Sequence, residues 1–595
     1  MNPSKQISEW LQRFEQLLSS QRFEELPEMF SVPCYWRDML SFTWNIVTLE
    51  GVSAIEEMLQ ATISSVKPQN WEMVGNVSEE DDCWACWLRF ETQTGSGKGH
   101  IRLKDGKCYS LLTTLEQLRD YPPTIGQLRE RGVELTAAKG RKTYGQRRQS
   151  RSERIGADEQ PYCVIIGGGQ GGLSLAARLK YLNVPTLIVE KNNRIGDSWR
   201  NRYDTLCLHD PVWFDHMPYI SFPEGWPVYT SKDMMGDWLE MYATVLDLDC
   251  WTNAHCRNAE FDSDTDCWKI TVDQLSEERE LSPRHLVFAT GMSGYPHIPE
   301  FDGQERFQGL QIHSSQYKTG SDFEGKRCVV IGSNTSAHDI CMNLWEHDVE
   351  VVMIQRSPTT VARAQTVLDC VLGSLYSEAA LASGIDTTTA DYTATTVPYR
   401  LLEQRQKQVC LEMRERDRDL HDKLIEAGFL LDFGEDETGM VLKSFRQGGG
   451  FYIDVGASDL IYSGEVKLKA GREISNLESD SVVLEDGETV AADAVIYATG
   501  YTSMNKFVAD IVGNDVANQV GRCWGLGSGT RKDPGPWEGE LRNMWKPTQQ
   551  EGLWFQGGNL AQCRHYSRFL ALQIKARFEQ LPTPVYNRAP VHHPF

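Results

Sequence analysis

Two apolar runs each open onto a glycine-bearing turn and then a helical segment, and this duplication constrains the chain more than any other feature. The first run, Tyr162-Cys163-Val164-Ile165-Ile166, leads into Gly167-Gly168-Gly169-Gln170-Gly171-Gly172. The second, Cys328-Val329-Val330-Ile331, leads into Gly332-Ser333-Asn334-Thr335-Ser336-Ala337. In both, the residue that ends the next strand lies 23 positions beyond the first glycine, at Glu190 and at Gln355. Strand, Gly-rich turn and helix in this order form the βαβ unit that cradles a dinucleotide pyrophosphate at a helix N-terminus. Two such units predict two dinucleotides and electron transfer between them.

The strand ends tell the nucleotides apart. A carboxylate accepts hydrogen bonds from ribose hydroxyls and repels a 2′-phosphate, so Glu190 suits FAD or NAD. The second unit ends in Gln355-Arg356, with no acid and a guanidinium suited to a 2′-phosphate, which favours NADPH. Asn334 fills the slot where a glycine normally lets backbone approach the pyrophosphate, and Ala337 replaces the third glycine.

Charge and composition narrow the class. A net charge of −23 argues against nucleic acid, whose phosphates need a basic footprint. The 15 scattered cysteines and the absence of a signal pattern lead to the expectation of a reduced, cytoplasmic protein without integral membrane insertion. Cys83-Trp84-Ala85-Cys86 sits in an alternating segment and is read as structural rather than redox-active. No metal site is expected.

Residues 1–125 read as a separate α+β unit. Ile7, Leu11, Phe14 and Leu18 repeat at helical spacing, and alternating segments with a hairpin at Asp105-Gly106 follow. With Tyr35-Trp36-Arg37-Asp38 ahead of the strands, this pattern resembles the cone-shaped NTF2/SnoaL-like fold. That resemblance makes Asp38 a conceivable acid, and Trp10, Trp36, Trp44, Trp71, Trp84 and Trp87 could line a cavity or fill it. A structural role, with the cone pairing across a homodimer, is the expectation. Seven basic residues and one acid between Lys139 and Arg154 mark a linker over 126–160, read as a solvated tether.

Beyond 160 the strands ending at Ala289-Thr290-Gly291 and Ala498-Thr499-Gly500 end alike. Between the first of these and the second βαβ unit, Phe307 to Lys318 carries F-x-G-x-x-x-H-x-x-x-Y-K through Phe307, Gly309, His313, Tyr317 and Lys318. This is the fingerprint of class B flavin-containing monooxygenases, and residues 161–595 resemble that family. Tyr203-Asp204-Thr205-Leu206-Cys207-Leu208-His209 and Trp226-Pro227-Val228-Tyr229-Thr230-Ser231-Lys232 are most similar to its YUCCA-like branch. The Baeyer–Villiger fingerprint has tryptophan in place of Tyr317.

The resemblance implies an α/β fold of two Rossmann-like domains, the second inserted in the first. The expected segments are 161–318 and 461–595 for FAD, and 319–460 for NADPH with a helical substrate insertion. It implies an NADPH- and O₂-dependent monooxygenase acting through a C4a-(hydro)peroxyflavin on a small organic, aromatic or secondary-metabolite substrate. Baeyer–Villiger oxidation, a disulfide reductase and a non-catalytic flavin sensor are the alternatives. With the loops, it implies FAD contacts from Gly167, Gly169, Gln170, Gly171, Gly172, Glu190, Lys191, Trp199, His209, Thr290 and Gly291. NADPH contacts are expected from His313, Gly332, Ser333, Asn334, Thr335, Ser336 and Arg356. No catalytic acid or base is assigned.

Overall fold

The computed structural model describes residues 2–133, 135–137 and 139–593. The amphipathic helix Pro3–Ser20 buries Ile7, Leu11, Phe14 and Leu18 against a six-stranded sheet, as their spacing demands. That sheet runs in the order 46–50, 30–39, 107–118, 95–104, 83–91 and 69–80. Asp105 and Gly106 both adopt positive φ, at 50° and 80°, which matches the right-handed twist of the strands they join. Trp10, Phe14, Phe30, Trp36, Trp71 and Phe90 pack into one another, with Trp71 and Phe90 stacked at 4.3 Å. The tryptophans therefore divide by side: Trp10, Trp36 and Trp71 fill the unit, whereas Trp44 packs in a cluster shared with the rest of the chain.

That shared cluster changes the expected role of the N-terminal sheet. Met39, Leu40, Trp44, Leu112, Leu115 and Leu118 pack with Trp545, Tyr566, Phe569 and Leu572 of the same chain. One face of the N-terminal sheet is thus covered by the same chain. The basic linker also departs from a plain tether. Residues Tyr144–Arg154 form a helix with a Thr143–Gln146 capping box, and Arg151 reaches Asp249 at 2.7 Å and Asp247 at 3.0 Å.

Two five-stranded parallel sheets carry the nucleotide units. The first runs 553–555, 285–288, 163–166, 186–189 and 250–251, and the second runs 310–313, 494–497, 327–331, 350–355 and 467–470. The chain leaves the first sheet, builds the second, and returns through Leu553–Phe555 and the C-terminal helix Leu560–Phe578. Boundaries expected at 318/319 and 460/461 fall inside the second sheet, because strands Leu310–His313 and Ala494–Tyr497 both belong to it. The two Ala-Thr-Gly endings look the same in sequence, so neither reveals which sheet its strand joins. Helices from Ala364 to Gln447 fill the insertion between strands Thr360–Arg363 and Phe451–Asp454.

Candidate functional site

Both glycine turns are forced by close packing. Gly167 has φ +110°, and a Cβ there would lie 2.4 Å from the Ala289 carbonyl oxygen. Gly332 has φ +128°, and its Cβ would lie 2.3 Å from the oxygen of Ala498. A Cβ on Gly172 would come within 2.0 Å of the Gly167 oxygen, so this glycine serves helix-to-strand packing rather than ligand contact. At Gly169 the nearest atom to such a Cβ is the Ser198 hydroxyl at 3.9 Å, leaving the open cradle a pyrophosphate needs. Asn334 occupies the equivalent place with φ −96° and ψ −172°, close to the −79° and −172° of Gly169. Neither value requires glycine, which explains why asparagine fits.

A cleft of about 800 Å³ opens above the first sheet. Gly167, Gly169, Gln170, Gly171, Glu190, Lys191, Trp199, His209, Thr290 and Gly291 all line it. Glu190 is buried at the strand end, where Oε2 accepts from the Gly168 N–H at 2.7 Å and Oε1 from Asn192. Trp199 donates Nε1–H to Gln170 at 3.3 Å and forms one wall. Gly291 has φ +85° and nothing within 4 Å of a Cβ position, so its backbone faces open space. The Thr290 hydroxyl is buried without a partner, as expected of a group that a polar ligand satisfies. Across the cleft lie Gly557, Gly558 and the capped start of the C-terminal helix, where Asn559 accepts from the Gln562 N–H at 2.9 Å. This helix N-terminus supplies partial positive charge.

The second unit meets the cleft more sparingly. Thr335 lines it, with Ser315 and Lys318 from the fingerprint. Ser333 is buried and shares a hydrogen bond with Thr359 at 2.8 Å. Ser336 is half-buried and Asn334 exposed on the same turn. Arg356 is exposed beyond the strand end, while Gln355 is spent on the Leu430 backbone, donating to its oxygen and accepting from its N–H. Burial, Lys443 and Arg356 hold the Lys532 ammonium below its usual pKa, which marks a local concentration of positive charge.

His313 stands differently from its expected place. It is fully buried, and both ring nitrogens are engaged within the protein: Nε2 with the Gly500 oxygen at 3.0 Å and Nδ1 with Ser315. The ring pins the second Ala-Thr-Gly turn, and His313 is not among the residues that line the cleft. Tyr317 is equally removed, buried with its hydroxyl donating to Asn343 at 2.7 Å. The residue that separates the two oxygenase fingerprints therefore does not touch the cleft. Of the aromatic stretch after Leu208, His209 lines the cleft, while Trp226 stacks on Phe222 at 5.1 Å in the core of the first unit.

Sequence reasoning missed Arg202. It lines the cleft between the two units, under Tyr203 and Tyr501, each ring centroid 5.9 Å from the guanidinium carbon. Its Nε is buried without a partner, as are the Tyr501 and Thr502 hydroxyls. Its position next to Tyr203-Asp204 was the available signal. Met292, Phe507, Ile511 and Trp524 form an apolar end of the same cleft, and Trp524 donates Nε1–H to the Ser444 oxygen at 2.8 Å.

Comparison with known proteins agrees with this geometry. Residues 164–397 match the family described as pyridine nucleotide-disulphide oxidoreductase. The probable indole-3-pyruvate monooxygenase YUCCA7 of Arabidopsis thaliana is 32% identical over 348 residues, spanning 57% of this chain and 74% of that protein. The chain belongs to the class B flavin-containing monooxygenase family. It is an FAD- and NADPH-dependent monooxygenase. The indole-3-pyruvate monooxygenase YUCCA1 of Oryza sativa subsp. japonica is 29% identical over 346 residues, 58% of this chain and 77% of that one. An oxidised steroid monooxygenase bound to NADP shares the fold, with TM-score 0.51 and 18% identity over 71% of this chain and 85% of that one. Disulfide chemistry lacks its thiols here. Cys207 is the sole cysteine between the first unit and Cys250, and burial pushes its thiol pKa up, opposite to what a redox thiol requires.

Proposed function

We propose that the cleft of this monooxygenase holds FAD on the first unit, with Glu190 on the adenosine ribose, the turn from Gly167 on the pyrophosphate, and Thr290, Gly291 and Gly557 around the ring system. NADPH enters from the second unit over Thr335, with its 2′-phosphate toward Arg356 and its diphosphate toward Arg202 and Lys318. When bound, these cofactors supply hydride transfer and the reduction of dioxygen, one oxygen atom going to substrate and the other to water. The protein orients both nucleotides and excludes water. Met292, Phe507, Ile511 and Trp524 present an apolar wall to the substrate, which suits a small organic molecule with an aromatic or otherwise apolar body. The YUCCA relatives favour an aromatic 2-oxo acid.

The single observation that carries this reading is that one cleft joins the first glycine turn, the helix N-terminus at Asn559, the guanidinium of Arg202, Thr335 and the apolar wall. The N-terminal unit, with helices laid on a six-stranded sheet, fits an NTF2-like cone whose interior is filled. Anaerobic mixing of the purified protein with NADPH should bleach the visible flavin band. A protein that carries FAD but is not bleached would be a binding module. Mass spectrometry of products then separates one added oxygen with loss of carbon dioxide, which supports the 2-oxo acid, from oxygen addition alone.

Arg356→Ala should lower the NADPH-to-NADH ratio of kcat/KM roughly ten- to hundredfold, the range of a lost charge-assisted hydrogen bond. An unchanged ratio would move the 2′-phosphate to Lys443 or Lys532.

A further inference from the structure

The N-terminal unit is joined to the cleft by an unbroken series of buried polar contacts. Arg37 is 2% exposed and grips Glu540 through Nε at 2.7 Å and Nη2 at 2.8 Å. Its Nη1 donates to the Thr395 oxygen at 2.9 Å, and Nη2 also reaches the Tyr566 hydroxyl at 3.2 Å. Arg102, from the same sheet, donates to the oxygen of Thr396 at 2.9 Å and to its hydroxyl at 2.7 Å. Thr395 ends the helix Thr387–Thr395 and Thr396 caps it. Two guanidinia thus satisfy the carbonyls that a helix leaves unpaired, at its partially negative end. A third tie is Lys98, whose ammonium lies 4.4 Å from the rings of both Trp87 and Tyr392.

From this helix the contacts run on to the cleft. Asp391 receives Arg564 on both oxygens, at 2.7 and 2.8 Å. The remaining Nη1 of Arg564 donates to the oxygens of Phe214 at 2.7 Å and His216 at 2.6 Å, closing the loop that begins at His209. Thr395 shares a further hydrogen bond with His565 at 3.0 Å. Arg564, His565 and Tyr566 follow directly on Gln562 and Cys563, which line the cleft. The helix that aims its N-terminus at the cleft is thus held, within one turn, by a helix the N-terminal sheet holds.

We propose that the N-terminal unit is a positioning element of the oxygenation site. Arg37 and Arg102 fix the end of helix Thr387–Thr395, and through Asp391 and Arg564 they fix both the start of the C-terminal helix and the loop after His209. The consequence is retention: dioxygen reduced in the cleft is kept for substrate instead of leaving as hydrogen peroxide. The wasteful path is balanced as NADPH + H⁺ + O₂ → NADP⁺ + H₂O₂, and excluding water suppresses it. This inference rests on the placement of FAD in the cleft.

The test uses the full-length holoenzyme with NADPH and dioxygen alone. The first variant is Arg37→Met combined with Glu540→Leu, which removes both charges and leaves neither buried unpaired. The second is Arg102→Met, where the partner Glu80 is 31% exposed and tolerates the loss. Each should reduce its flavin anaerobically at the wild-type rate, yet oxidise NADPH and release hydrogen peroxide several-fold faster without substrate. Iodide should quench the bound flavin more strongly. Arg102→Lys should restore both readouts, since an ammonium still reaches the Thr396 oxygen. Wild-type peroxide release and quenching in Arg102→Met would overturn the inference, whether or not the double variant folds. A wild-type protein that holds no FAD would instead defeat the placement beneath it.

Discussion

Gly332→Ala is expected to yield a purified protein that still carries FAD but is reduced by NADPH about a hundredfold more slowly, or not at all. Gly167→Ala should lack flavin altogether. Both glycines sit at positive φ, where an L side chain is strained, and in both an added Cβ would fall far inside contact distance of a return-strand carbonyl oxygen. Strain of this kind costs about 1–3 kcal/mol, and the overlap as much again. The turn cannot keep its shape, so its N–H groups no longer converge on a pyrophosphate. The two turns belong to separate sheets, which is why the losses should separate. Flavin content and anaerobic reduction, with thermal unfolding to confirm that each variant folds, check the pair. Loss of FAD from Gly332→Ala alone would reverse the assignment of the two units.

What could be read from the sequence was what the backbone constrains locally. The turns at Gly167 and Gly332 follow from short-range sterics, and so does the hairpin at Asp105-Gly106. The ten residues expected at FAD that line the cleft followed from those turns and from the family resemblance. What depends on distant partners was hidden. Arg37 and Glu540 are 503 positions apart, and nothing near either residue announces the other. His313 carries a motif signal, but a motif shows that a residue matters and not which atom it touches. Its partner, the Gly500 oxygen, is 187 positions away. The sheet membership of the strand before Gly500 was illegible for a related reason, since both sheets are parallel and their return strands are equally buried and apolar.

Asp38→Asn is expected to destabilise the N-terminal unit by about 2–4 kcal/mol while leaving NADPH oxidation per folded molecule unchanged within about twofold. Alternation along its strand turns Asp38 into the unit and Arg37 out toward Glu540. Asp38 is 0% exposed, and every polar neighbour donates to it. Oδ2 accepts from the Phe42 N–H at 3.0 Å, the Thr43 N–H at 3.0 Å and the Thr43 hydroxyl at 2.7 Å, and Oδ1 accepts from Thr113 at 2.6 Å. Burial pushes this carboxyl up to about 6 against the pull of those donors, so it is ionised at neutral pH. Asparagine must turn an amide N–H toward at least one of them. The Thr113 hydroxyl cannot absorb it freely, since it already accepts from Trp36 Nε1 at 2.8 Å. A buried donor is left facing a donor, which is the source of the expected cost. Asp38 is therefore a fastening of the sheet, spent entirely within the protein and unable to exchange a proton with a ligand. Thermal unfolding, flavin reduction by NADPH and product formation, measured on the same preparation, separate the two readings. A variant that melts with the wild type and reduces its flavin normally, yet loses product formation, would make Asp38 a functional acid and the N-terminal unit a second active site.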